Sequence, residues 1–201
     1  PWVFGEMTRK IAAGETVRVI VEGAAHEARA RRLLSRAGAD PARIEFFRFP
    51  TDRGWTRDSG PMFVRREKPR PGVAVAGFRF NAWAKYPDWK KDARVPERAA
   101  RALGLPVVRP AGGDVVLEGG AIDVNGRGTL LATEECLLDT RVQVRTPGLD
   151  RKAMEGVFRG ALGAGNTIWR GKGIAGDDTH GHVDDFCRFG GPRTIVLCRE
   201  G

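Results

Sequence analysis

The sequence predicts an α/β fold. Three observations lead there: short β-branched runs of strand length, Ala- and Arg-rich stretches of helical character between them, and an order of elements that recurs three times. Each recurrence takes a helix and a strand into a glycine-flanked acidic turn and then into further β structure. The acidic points are Asp58, Glu118 and the Asp177 to Asp185 segment, set roughly 60 residues apart, a repeat spacing that can outlive sequence identity. Units repeated about an axis would aim their turns at one place, so the three acidic turns are expected to converge.

The elements follow in order. Glu15 to Val21 is a β-branched strand, and Glu22 to Ala37 a helix with Leu33 and Leu34 turned inward and Gly38 as its stop. Ile44 to Phe49 is a second strand, halted by Pro50. The turn-rich stretch Thr51 to Pro61 leads to a short strand, Met62 to Arg65, and the turn Lys68 to Gly72 to another, Val73 to Phe80. Asn81 to Trp89 is an aromatic loop. Pro96 and Gly104 bracket a helix over Glu97 to Leu103, and Pro106 to Arg109 is extended. Ala121 to Val124 and Gly128 to Thr133 flank an Asn125-Gly126 turn and form a hairpin. Asp150 caps a helix over Arg151 to Leu162, whose Met154, Val157, Phe158, Ala161 and Leu162 share one face. Asn166 to Arg170 is a strand, and Phe186 to Cys198 a closing hairpin.

Composition narrows the function classes. With 41% hydrophobic residues over 201 positions, the chain can bury a core of one domain or two small ones. No apolar run nears the roughly 20 residues that span a bilayer, so no membrane partner is expected. The N-terminus, Pro1 to Glu6, is neither a signal peptide nor an initiating-methionine start and reads as a cut. Cys136, Cys187 and Cys198 are too few and too irregular for a disulfide framework or a zinc cluster, and a reducing, cytoplasmic setting is expected. The formal charge is +9, from 34 Lys and Arg against 25 Asp and Glu. The arginines lie largely on helix faces and no nucleic-acid-binding signature accompanies them, so no nucleic-acid partner is expected.

The chemistry concentrates in Gly176-Asp177-Asp178-Thr179-His180-Gly181-His182-Val183-Asp184-Asp185-Phe186, which holds two of the chain's three histidines. Taken alone, this could be a solvated acidic loop. Asp58 could likewise be a turn-former before Gly60-Pro61, Trp55 a packing residue, and Glu118 a surface charge at a strand end.

Together, these stretches resemble a known family. Trp55-Thr56-Arg57-Asp58-Ser59-Gly60-Pro61, Leu117-Glu118-Gly119-Gly120-Ala121-Ile122 with Leu130 to Leu138, and the segment from Gly176 to Phe186 resemble, in order, three motif blocks of the agmatine deiminase and bacterial-type peptidylarginine deiminase family. His180 stands where that family has Asp or Asn, and Asp185 where it has Asn. The resemblance implies a pentein-type α/β propeller of pseudosymmetric ββαβ units. This chain would be a single incomplete domain, 1–201, of about three units of five, approximately 1–66, 67–140 and 141–201. It also implies hydrolysis of a guanidino compound, agmatine first, to N-carbamoylputrescine and ammonia through a covalent cysteine intermediate, hence a part in putrescine and polyamine formation. Glu118, His182 and Asp184 take the catalytic positions, and Trp55 and Asp58 the substrate-binding ones, with no metal and no cofactor.

The residue types suit that chemistry. Carboxylates bind a planar guanidinium bidentately, with Glu118 the better candidate and Asp184 the other; His182 can pass protons to departing ammonia and from attacking water; and Asp58 by charge and Trp55 by packing or cation–π contact would hold the substrate's far end. As residues of an extended strand, His182 and Asp184 would point to the same side. The family's nucleophile block, a glycine-rich turn followed by His-Cys, has no match before Gly201, so the chain alone is expected to be inactive. Cys136 matches a structural position, and Cys187 and Cys198 sit in strands. An incomplete ring would expose sheet and helix faces that favour homo-oligomers. Two other readings remain: a guanidinium-binding module without catalysis, and a metal hydrolase, because His180 to Asp185 also resembles the ligand run of the metallo-β-lactamase fold. His26 is the one further histidine, so that metal site has little to draw on.

Overall fold

The computed structural model describes residues 2–111 and 113–199. The chain divides into two compact units, one up to Thr51 and one from Asp52 onward. In the first, helix α1 (Trp2–Ala12) precedes strand β1 (Val17–Val21), helix α2 (Ala24–Arg36) and strand β2 (Ile44–Arg48). β1 and β2 pair in parallel, Val17 opposite Ile44 through Val21 opposite Arg48, with α2 as the crossover. No sequence signal marked α1. A glycine interrupts it, and Gly5 packs closely there: a Cβ would lie 3.0 Å from the Ala37 Cβ and 3.1 Å from Leu33. The apolar residues of α1, Trp2, Val3, Phe4, Met7 and Ile11, are mostly exposed within this unit.

The second unit opens with a one-turn helix, α3 (Thr56–Ser59), followed by strands β3 (Met62–Arg66) and β4 (Gly72–Ala76), helix α4 (Val95–Ala102) and strand β5 (Val107–Val108). Next come strands β6 (Ile122–Val124) and β7 (Thr129–Thr133), helix α5 (Glu134–Leu138), helix α6 (Arg151–Val157) and strand β8 (Asn166–Arg170). Strands β9 (Cys187–Gly191) and β10 (Thr194–Leu197) follow as an antiparallel hairpin. Two three-stranded sheets share one connectivity. β3 is antiparallel to β4, which is parallel to β5, and β6 is antiparallel to β7, which is parallel to β8. Lys68 to Gly72, read from sequence as a turn between units, connects two strands of one sheet.

Two elements differ from their sequence-based bounds. β4 ends at Ala76 rather than Phe80, and chain pairing resumes only as a single bridge from Arg79 to Val116. The helix after Asp150 is regular to Val157 and then widens into a π turn over Phe158–Leu162, stopped by left-handed Gly163. Asp150 caps it as expected, its side chain accepting from the Ala153 N–H. The core of this unit lies between the β6–β7–β8 sheet and α6, where Leu130, Met154 and Phe158 are fully buried, each worth roughly 1.5–3 kcal/mol. This core fixes the ends of β7 and β8, beside which the acidic segments are placed.

Candidate active site

Asp58 sits in α3, whose entry is held by a buried carboxylate. Asp92 is fully buried and accepts from the backbone N–H groups of Asp52 (2.7 Å) and Arg53. After α3 the chain must turn at Gly60, where a Cβ would lie 2.2 Å from the Thr56 carbonyl oxygen. Glu118 follows the bridge at Val116 and precedes two glycines that the site cannot replace. A Cβ on Gly119 would meet the Arg57 carbonyl oxygen at 2.0 Å, and one on Gly120 would meet His182 Nδ1 at 2.4 Å and Asp58 Oδ1 at 2.6 Å. The Gly120 N–H donates to Asp58 Oδ1 at 3.0 Å, and its carbonyl accepts from the Asp184 N–H at 3.3 Å. One glycine's backbone thus joins two of the acidic turns.

The third turn is organised by Asp177. Its carboxylate accepts from the backbone N–H groups of Thr179, Gly181 and His182 at 2.7, 2.7 and 3.0 Å. These bonds fold the segment tightly, with His180 and Gly181 both at positive φ. His182 then caps a 3-10 turn, Val183–Asp185. This corrects the expectation of an extended strand: His182 and Asp184 come together across a tight turn, around the buried Val183.

His182 is 2% exposed and central. Its Nδ1 lies 3.7 Å from Asp58 Oδ1 and 3.9 Å from Asp184 Oδ1, and its Nε2 lies 3.9 Å from Glu118 Oε2. Neither His182 Nε2 nor Glu118 Oε2 has a hydrogen-bond partner, although both are buried, which is uncommon for such groups. The other oxygen of Glu118 accepts from Arg145 Nε at 2.9 Å, and both side chains are fully buried. Asp184 is paired with Arg57 at 3.4 Å. Asp58 accepts from the Trp83 indole N–H at 3.2 Å and, among the described residues, has no arginine within 4.0 Å.

These surroundings set the protonation states. Burial raises the Asp58 carboxyl to about 7; the Glu118 and Asp184 charges add to this, and the N–H groups of Gly120 and Trp83 oppose it. Burial lowers His182 to about 3, helped by the positive charge of Arg145, so its imidazole is neutral near pH 7. Burial also raises Asp184, against the pull of Arg57. The site therefore holds three carboxyl groups, the buried Arg145, the half-exposed Arg57 and a neutral imidazole.

The sequence-based site residues fall as follows. Asp58, Glu118, His182 and Asp184 meet around one imidazole. Trp55 stands one ring away: its ring meets Trp83 at 4.3 Å, tilted by 35°, and carries the Arg53 guanidinium at 4.8 Å. Trp83 in turn meets His182 edge-on at 6.1 Å. His180 turns elsewhere and bonds Asp139 at 2.9 Å, which brings the Asp139 carboxyl down to about 2. Sequence reasoning missed Trp83 and Arg145. Trp83 lies in a left-handed turn, Ala82, Trp83 and Ala84 having φ of 49°, 60° and 53°, in a stretch without glycine, so no residue announced the geometry. Asn81, whose side chain accepts from the Ala84 N–H, was the available signal.

Among the described residues, Glu118, Cys136 and His182 each place one potential metal ligand within 4.8 Å of the others. Cys136 is fully buried and burial pushes its thiol well up, while the Arg145 guanidinium already holds Glu118. Both features oppose a divalent cation there.

Fold and site together define an α/β protein whose second unit gathers three acidic turns around a neutral histidine. The sequence profile of the Porphyromonas-type peptidyl-arginine deiminase family matches residues 1–201, and the chain belongs to that family. It is 36% identical over 199 residues to the agmatine deiminase of Stutzerimonas stutzeri, covering 96% of this chain and 50% of that protein. Against the agmatine deiminase of Ectopseudomonas mendocina, it is 37% identical over 199 residues with the same coverage. Among solved structures, the agmatine deiminase of Enterococcus faecalis superposes with a TM-score of 0.84 at 29% identity, covering 98% of this chain and 52% of that one. The chain spans about half the length of the curated relatives it matches. No helix among the described residues is long and apolar enough to cross a membrane.

Proposed function

We propose that this chain carries the guanidinium-binding and acid–base half of a deiminase, which hydrolyses a guanidino compound to a ureido product and ammonia. Agmatine is the first candidate, since the similar proteins above are named for it. The observation that carries the reading is the charge balance of the cleft. Arg145 and Arg57 offset Glu118 and Asp184, which leaves Asp58 as the carboxylate for which a ligand supplies the cation. In this reading Asp58 takes the place expected of Glu118, whose Oε1 Arg145 already holds: Asp58 and Asp184 grip the guanidinium, Trp55 packs at the substrate's far end, and Glu118 and His182 manage protons.

The chemistry proceeds as two additions and two eliminations. A cysteine thiol gives its proton to the neutral His182, and the thiolate attacks the guanidinium carbon. The adduct collapses as its C–N bond breaks, His182 returns the proton to the leaving nitrogen, and ammonia departs. Water then adds to the amidino carbon, losing a proton to His182. The C–S bond breaks, His182 returns its proton to the thiolate sulfur, and the ureido product forms as its hydroxyl proton is released to solvent. With agmatine the products are N-carbamoylputrescine and ammonia, a reaction on the way to putrescine in a cytoplasmic setting.

Neither buried cysteine of this chain is suited to be the thiol. Cys136 is enclosed beside Glu118 and His182, and Cys187 is packed with Leu131 and Val183. The nucleophile is assigned to a segment outside these 201 residues, within a pentein-type propeller of which this chain forms about three of five units. Guanidinium binding without catalysis is the second reading, favoured by that same enclosure of Cys136. The test is ammonia release from agmatine, arginine and an arginyl peptide. The 201-residue chain is compared with a chain completed by the C-terminal region of the Stutzerimonas stutzeri protein. Turnover by the completed chain, lost on His182→Ala, supports the deiminase. Tight binding without turnover in either chain supports the binding module.

A further inference from the structure

Arg145 belongs to no motif that led to the site, yet its side chain is fully buried beside it. Burial of a guanidinium is costly unless its donors are met, and here three partners on three segments meet them. Nε donates to Glu118 Oε1 at 2.9 Å, Nη1 to the Gln143 carbonyl at 2.9 Å, and Nη2 to the Thr179 carbonyl in the turn that carries His182. The planar fork thus ties Glu118 to the loop before His182 in a fixed geometry. One consequence is visible directly: Oε1 of Glu118 is taken, and Oε2 alone remains free, facing His182 Nε2.

We propose that Arg145 is a positioning residue for the deimination reaction, fixing Glu118 so that a single carboxylate oxygen faces His182 Nε2. This rests on the deiminase reading above. Its second contribution is charge. After burial itself, the Arg145 guanidinium is the strongest influence keeping His182 below its ordinary value, so the imidazole is free to accept a proton. Orientation and charge can be separated, because a lysine retains the charge on a compact ammonium but cannot reach all three acceptors with a planar fork.

Three variants test this. Arg145→Lys keeps the charge, Arg145→Gln removes it, and Arg145→Met combined with Glu118→Met removes charge and counter-charge together, leaving no lone buried ion. The His182 imidazole is titrated by NMR in the 201-residue chain, and agmatine turnover is measured in the completed chain. The proposal expects His182 to titrate higher in Arg145→Gln, toward 6.5, but to stay low in Arg145→Lys. It expects kcat to fall about 100-fold in both with KM within about threefold, the scale of a small misplacement of a reacting group. In a Glu118→Met background, Arg145→Met should cost less than about threefold further in kcat, because its orienting role acts through Glu118 and only its charge on His182 remains to be lost.

Wild-type kcat in Arg145→Lys, a loss confined to KM, or additive losses in the paired variant would overturn the proposal. If the single variants do not melt cooperatively, the paired variant compared with Glu118→Met alone decides. If no guanidino compound is turned over, the function reading fails and the titration decides on its own: an unmoved His182 in Arg145→Gln refutes the positioning claim.

Discussion

Binding of a guanidinium should release a proton, and Asp58 should be its source. The carboxyl is raised from 3.8 to about 7 by burial and by the charges of Glu118 and Asp184, a gap of about three units, or about 4 kcal/mol between its two protonation states. A monocation placed between Asp58 and Asp184 favours the carboxylate and returns Asp58 toward its ordinary range. His182, at about 3, stays neutral throughout this window and neither takes nor gives a proton. From a value of about 7 in the free protein, complex formation should release about 0.9 proton at pH 6, about half at pH 7 and about 0.1 at pH 8. Apparent affinity should weaken about tenfold at pH 6 and about 100-fold at pH 5 relative to its alkaline limit.

Calorimetric titration of agmatine in two buffers of different ionisation enthalpy reads the proton count directly. Asp58→Asn should abolish the release and flatten the pH dependence while weakening binding. Tight binding at pH 6 with no proton released, or the same release from Asp58→Asn, would refute the assignment of the uncompensated charge to Asp58.

Two further outcomes follow from the same geometry. Asp58 is raised in the folded state, so its contribution to stability falls as pH rises from about 4 to 7. His182 is depressed, so its contribution rises with pH from about 3 to 6.5. The two slopes oppose each other in the wild-type protein. His182→Gln should unmask the first, giving unfolding free energies from urea titrations that fall toward pH 7 by roughly 1 kcal/mol per pH unit; free energies that rise instead would contradict the pair of assignments. Gly120→Ala forces a methyl against His182 Nδ1 and Asp58 Oδ1. It should cost about 1–3 kcal/mol in stability and weaken agmatine binding more than tenfold, whereas unchanged binding would show that the close approach at Gly120 is unnecessary.

The convergence of Asp58, Glu118, His182 and Asp184 was legible because each lies beside glycines in a recurring layout, and glycines mark where backbone must approach closely. Gly119 and Gly120 bear this out, as neither has room for a Cβ. The local shape of the histidine turn was not legible. An alternation rule for strands places His182 and Asp184 on one side, but it cannot foresee that Asp177 gathers three backbone N–H groups and folds the segment up. Arg145 was hidden for a different reason: it is one of 34 Lys and Arg residues, in a stretch without periodicity, and only tertiary contact distinguishes it. The α1 helix was obscured by its internal Gly5, whose role in close packing against Leu33 and Ala37 appears only in three dimensions.

The most direct test is a crystal structure of the protein with agmatine bound. The account predicts the guanidinium between the carboxylates of Asp58 and Asp184, its carbon beside His182, with Glu118 still held by Arg145 and the aliphatic chain leading toward Trp55. Agmatine bound away from His182, or no agmatine at saturating concentration in a cleft otherwise unchanged, would contradict it.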